Sequence, residues 1–154
     1  MPKHWKEEDF EVLKTATTFA ELAEVALSIL KRMKDDGCEI TELCGPMSTG
    51  GLGDMERNFD FFRFAIKRAR DNGLTVFDQT PFQEVIQRFS NHLVHGEYNT
   101  DILDLFYKKI FESGLISRAL FLPLWETSRG SRWEREFIGT LPIQIEEYPT
   151  LWLE

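Results

Sequence analysis

A carboxylate one turn inside a helix, where a strand-end loop feeds that helix, is well placed to act on a small ligand. The stretch Trp125-Glu126-Thr127-Ser128-Arg129-Gly130-Ser131-Arg132-Trp133-Glu134 has this form. Glu134 would face the cleft, and the helix dipole would favour its anion. An ionised carboxylate in a partly dry cleft can attack a sugar carbon. The plainer alternative is that Glu134 only complements the dipole. Glu136 falls on a different face, in solvent.

A second stretch, Gly45 to Asp54, could hold a ligand. Its four glycines, Gly45, Gly50, Gly51 and Gly53, allow close approach of backbone N–H groups. Pro46, Met47, Ser48 and Thr49 complete its first half, and the two hydroxyls add polar contacts. Arg57 and Asn58 lie on the first turns of the following helix and can reach back to an anion. No Gly-Lys-Ser/Thr follows, so this is not a P-loop. Glu56 stands where a dinucleotide fingerprint needs a third Gly or Ala. The alternative is a flexible crossover loop with no ligand.

Both loops need elements to carry them. Residues 7–16 read as a short helix. Thr18 and Glu21 have capping-box spacing and open a longer one. Leu22, Ala23, Ala26, Ile29, Leu30 and Met33 form its apolar stripe, and Gly37 stops it. Residues 39–44 then read as a strand leading into the first loop. Asp54 caps a helix running to about Asn72, and Leu74 to Phe77 is a short strand. Helical stretches follow at roughly 81–94 and 100–113. Ser117 to Leu124 is a buried strand leading into the second loop, and Ile143 to Ile145 a last short one.

This alternation predicts an α/β fold with a doubly wound, mostly parallel sheet, flavodoxin- or Rossmann-like in its three layers, with extra N-terminal helices. Ligands of such sheets sit at the carboxyl ends of the strands, where both loops lie. At 154 residues the chain reads as one domain: a helical extension over 1–37, a core over 38–147 and a tail over 148–154.

The net charge of −8 argues against a nucleic-acid polymer as partner, though not against a small phosphate ligand. No run reaches the ~18 apolar residues of a membrane span. The N-terminus has no signal-peptide pattern, so the expected location is cytoplasmic, with no membrane partner. Cys38 and Cys44, if on one strand, stand about 20 Å apart and cannot bridge each other. His92 and His95 could share a helical face, but no zinc-site pattern joins them, so no metal is expected.

Taken together, the two loops resemble those of the nucleoside 2-deoxyribosyltransferase superfamily, including its nucleotide N-glycosidase branch. The late motif of that branch, Ser-x-Gly-x-x-x-Glu, matches Ser128, Gly130 and Glu134. Gly45-Pro46-Met47 looks like the Gly-Pro-Met at the first strand end of small relatives. The resemblance covers roughly residues 39–138. It implies that Glu134 attacks the anomeric carbon and forms a glycosyl-enzyme intermediate. It implies that Ser128 helps hold a 5′-phosphate and that the glycine loop lines the sugar and phosphate. The family carries another catalytic Asp a little before the late strand. Asp104 is the nearest match but lies about a turn and a half too early, and Asp78, after the second strand, is the fallback.

The expected activity is cleavage of the base–sugar bond of a nucleoside or nucleoside 5′-monophosphate, without a cofactor. Two other readings stand beside it. One is a non-catalytic nucleotide-binding module in sensing or defence. The other is an interaction protein assembled through its helices and its aromatic tail. The segment Ile143 to Leu153 holds Ile143, Ile145, Tyr148, Leu151, Trp152 and Leu153. These either fold back over the chain's own core or cover a neighbour, and the resemblance favours a homodimer or larger homo-oligomer.

Overall fold

The computed structural model describes residues 3–47, 50–90 and 102–154. The helices are α1 (Glu7–Thr15), α2 (Phe19–Asp35), α3 (Met55–Asp71), α4 (Thr80–Ser90), α5 (Lys108–Glu112) and α6 (Arg129–Ile138). The strands are β1 (Ile40–Cys44), β2 (Thr75–Val76), β3 (Arg118–Phe121) and β4 (Gln144–Glu147). The chain divides into two compact units. One comprises residues 1–37 and 79–115, the other residues 38–78 and 116–154. Residues 79–115 thus group with the N-terminal helices and not with the sheet.

The first unit is helical. Thr18 caps α2 by accepting a hydrogen bond from the Glu21 amide at 3.2 Å. The Glu21 carboxylate reaches back to the Thr17 amide and the Thr18 hydroxyl. Leu22, Ala23, Ala26, Ile29, Leu30 and Met33 are all buried, as their spacing predicts. Asp9 on α1 takes both Nη atoms of Arg32 on α2, at 2.8 and 3.0 Å. Trp5 packs on Phe10 and Phe82, and Phe82 on Phe106. The helix expected over 100–113 begins, among the described residues, with a wide-turned segment, Leu103–Tyr107, before α5. His92 and His95 lie outside the described residues.

The second unit holds a four-stranded, all-parallel sheet in the order β2-β1-β3-β4. The fold is therefore mixed α/β. Successive side chains of a strand point to opposite faces. Thr41 and Leu43 of β1 share one face, and Ile40, Glu42 and Cys44 the other. On the first face, Leu43, Val76 and Leu120 pack with Phe62, Ala65, Ile66 and Ala69 of α3.

The strand expected over 117–124 ends earlier than its apolar run. Leu122 donates one last ladder bond to the Cys44 carbonyl at 2.8 Å. Pro123 then has no N–H to continue it. The chain turns through Leu124, the one described non-glycine residue with positive φ, at 69°.

The tail folds back. Tyr148 is buried, and its hydroxyl donates to the Ala65 carbonyl of α3 at 2.9 Å. Trp152 and Leu153 pack on the same core, while Leu151 is 71% exposed. Among the described residues no helix is long and apolar enough to cross a membrane.

Candidate active site

The sheet order sets the location. β2 lies on one side of β1 and β3 on the other, so the connections leaving β1 and β3 run in opposite directions. Loops at such a reversal part at the carboxyl ends of the strands and leave room for a ligand. The residues there are 45–54 after β1 and 122–128 after β3, all within the second unit.

The two loops are tied by Thr127. The Gly51 amide donates to its Oγ1 at 2.7 Å. The same hydroxyl donates to the Leu124 carbonyl at 2.6 Å, closing the strained turn. Gly50, at φ 66°, lies so close to Thr127 that a Cβ there would stand 2.1 Å from its carbonyl oxygen. A glycine is required on both counts.

Asn58 holds the glycine loop from beneath and is itself buried. Its Oδ1 accepts from the Leu52 amide at 2.9 Å. Its Nδ2 donates to the carbonyls of Met47 and Gly50, each at 3.1 Å. The Gly53 amide bonds the Gly50 carbonyl. The amides of Gly51, Leu52 and Gly53 are thus already paired, with Thr127, Asn58 and the Gly50 carbonyl. Arg57 is exposed and pairs with the helix cap Asp54 at 3.4 Å. Pro46 and Met47 are buried, Gly45 packs against Leu122, and Ser48 and Thr49 lie outside the described residues.

Ser128 caps α6. Its side chain accepts from the Ser131 amide at 3.3 Å, and it is buried. Gly130 lies in the first turn. Three residues after Ser131, Glu134 points from the same face of α6, and both are buried.

Glu134 meets the polar face of β1. The Cys44 thiol donates a hydrogen bond to its carboxylate. Glu42, two residues before Cys44 on the same face, is wholly buried, and neither of its carboxyl oxygens has a hydrogen-bond partner. The Ser131 hydroxyl is also without one.

The electrostatics follow from this burial. Loss of water drives the Glu134 pKa up to about 8, against the downward pull of the Cys44 thiol. Burial also drives Glu42 well above the ordinary carboxyl range, with further upward push from Glu134 and Asp78. Burial pushes the Cys44 thiol up too, helped by Glu134 and Glu42 and opposed by Arg135. Cys44 is therefore a neutral hydrogen-bond donor, not a nucleophile. Arg135 is taken up by Glu147 at 3.0 Å and lies 4.8 Å from the ring centroids of Phe121 and Trp125.

The structure therefore brings Glu134, Cys44 and Glu42 together, with Asp78 close enough to act on Glu42. Asp104 is exposed on Leu103–Tyr107 of the first unit. Sequence reading missed Glu42, Cys44 as a donor, and Thr127. Glu42 carried a signal: a charge inside the run Ile40-Thr41-Glu42-Leu43-Cys44, where a parallel strand is ordinarily apolar on both faces.

Comparison with protein-family models, with curated proteins and with solved structures finds no match to this chain.

Proposed function

We propose that the chain cleaves the base–sugar bond of a nucleoside or nucleoside 5′-monophosphate, with Glu134 attacking the anomeric carbon. The observation that carries this reading is the burial of Glu134 beside a second carboxyl, Glu42, under a thiol donor at the end of β1. Paired carboxyls in a dry site are what displacement at an oxocarbenium-like carbon uses. The Ser-x-Gly-x-x-x-Glu resemblance adds to it, with Ser128 and Gly130 forming the first turn beneath the ligand. The strand order accords with a doubly wound, flavodoxin-like sheet opening between β1 and β3.

The roles follow from the chemistry of each group. Glu134 in its ionised form attacks C1′, and the Cys44 thiol orients that carboxylate and stabilises its charge. Asp78, following β2, adds negative charge to the same cluster. Ser128 and the N-terminus of α6 face an anion such as a 5′-phosphate. The glycine loop contributes shape more than amide donors, because the amides of Gly51, Leu52 and Gly53 are already taken by Thr127, Asn58 and Gly50.

One observation favours a second reading, a nucleotide-binding module without catalysis. With a pKa of about 8, Glu134 is mostly neutral at pH 7 in the ligand-free protein. Incubation with a panel of nucleosides and 5′-monophosphates, followed by chromatography for free base, separates the two. Base release lost in Glu134→Gln supports the glycosidase. Ligand binding without base release at any pH from 6 to 9 supports the module (roughly the span over which such a carboxyl ionises).

A further inference from the structure

We infer that the base of the substrate is cationic: the buried cluster of Glu42, Glu134 and Ser131, with Asp78 beside it, fits a nucleoside quaternised at its glycosidic ring nitrogen. This rests on the reading of Glu134 as the attacking carboxylate and names the substrate class for it.

Two independent features of the cluster carry the inference. The first is its charge. Glu42 and Glu134 lie on facing elements, and among the described residues the charges shown to act on Glu42 are those of Glu134 and Asp78, both negative. Arg135, the cation that acts on Cys44, is already bound to Glu147 and to two aromatic faces. The second is the set of orphaned atoms. Both Glu42 oxygens and the Ser131 hydroxyl are buried with no partner. Buried polar groups ordinarily have partners, and a buried carboxyl with no counter-charge keeps its proton. A cationic ring beside Glu134 would supply the counter-charge that its ionised form needs.

The same cation resolves a difficulty in the chemistry. A neutral carboxyl is a poor nucleophile, and an adjacent positive charge favours its ionised form. A cationic base would thus bind and ionise Glu134 in one event, releasing the proton to solvent. The step that follows is redox-neutral. The C1′–N bond breaks and its electron pair returns to the ring nitrogen, so the base leaves neutral and needs no proton. A Glu134 oxygen forms the new bond to C1′. Water then displaces Glu134 from C1′, giving the free sugar, the carboxylate and a proton. A neutral base would need a proton donor as it left.

The test compares two ligands that differ in charge: the pyridinium riboside of nicotinamide and its uncharged dihydropyridine counterpart. Calorimetry at pH 7, in buffers of different ionisation heat, reads affinity and proton release together. The cationic form is expected to bind about tenfold more tightly or better, the equivalent of one pKa unit, and to release protons on binding. Glu42→Gln and Glu134→Gln, both nearly isosteric, should each reduce that preference. Equal affinity, binding of neither ligand, or a preference unchanged in both variants overturns the inference. Charge-selective binding without base release upholds it and overturns the glycosidase reading. Cleavage of neutral nucleosides together with equal affinity for the two ligands does the reverse.

Discussion

The two faces of β1 are built on opposite terms. On one, Leu43 lies against the apolar side chains of Phe62, Ala65, Ile66 and Leu120. On the other, one residue before and one after Leu43, stand Glu42 and Cys44, a buried carboxyl without partners and a buried thiol. The same five-residue strand holds the fold with one face and strains it with the other. Removal of apolar side chains from water stabilises the first face. Burial of ionisable groups makes the second costly whenever they are charged. An arrangement that costs stability and sits at the strand end beside two loops is where function is expected.

The sharpest way to separate the faces is to remove one group from each and read both activity and stability. Glu134→Gln should lower turnover about 10³-fold or more, equivalent to roughly 4 kcal/mol of transition-state stabilisation. It should leave the fold intact and, at pH 8, raise the melting temperature, since it removes a buried charge. Full activity in this variant would end the assignment. Leu43→Ala should do the opposite. It leaves a cavity in a packed core and should cost about 2–5 kcal/mol in denaturant unfolding. Substrate affinity of the folded fraction should hardly change. A Leu43→Ala protein as stable as the parent would show that this face is not the core.

The pH dependence of stability sharpens the same contrast. In the folded chain Glu134 keeps its proton up to about 8, against 4.5 ordinarily. Between those values the folded state binds more protons than the unfolded one, so stability falls as pH rises through that window. Glu42 shifts in the same direction and extends the decline. Asp9 acts the other way. Burial would raise it, but the hydrogen bond from Arg32 and that from the Lys6 amide hold it below its ordinary 3.8, so its contribution is lost only in stronger acid. Stability should therefore peak near pH 4 and drop by about 4 kcal/mol or more by pH 8. Glu42→Gln and Glu134→Gln should each flatten that slope. A flat profile in the parent protein would mean that the two carboxyls are not buried in solution.

Much of the second unit could be read from its sequence, and the reasons are local. Apolar runs bounded by Gly37, Gly45 and Gly73 marked the first two strands, and Asp54 announced its helix as a cap. The late motif pointed to Glu134, which is buried at the end of the sheet. What could not be read depends on pairing across the chain. Thr127 matters because the Gly51 amide, 76 residues away in sequence, finds its hydroxyl. The register of β1 against β3 places Glu42 opposite Ala119 and Cys44 opposite Phe121, on the face that meets Glu134. No spacing within either segment encodes that. The grouping of residues 79–115 with the N-terminal helices is likewise a long-range fact. It sets Asp104 in a different unit from Glu134.

The smallest expected effect lies at the edge of the apolar face, where the tail joins it. Tyr148 belongs to the same cluster as Leu43, and its hydroxyl donates to the Ala65 carbonyl at 2.9 Å. Tyr148→Phe keeps the ring and its T-shaped contact with Trp152 while deleting only the donor. A buried carbonyl left without any partner is costly, but Ala65 lies inside α3, where a carbonyl ordinarily also accepts the amide four residues on. The loss should therefore sit near the low end for a hydrogen bond, about 0.5–1 kcal/mol. It should shift the denaturant midpoint without changing the slope, since no surface is newly exposed. Turnover should be unaffected, because the substitution falls on the α3 side of β1 and leaves Glu42, Cys44 and Glu134 untouched. A loss of activity larger than the loss of stability would show that the two faces are coupled through the strand.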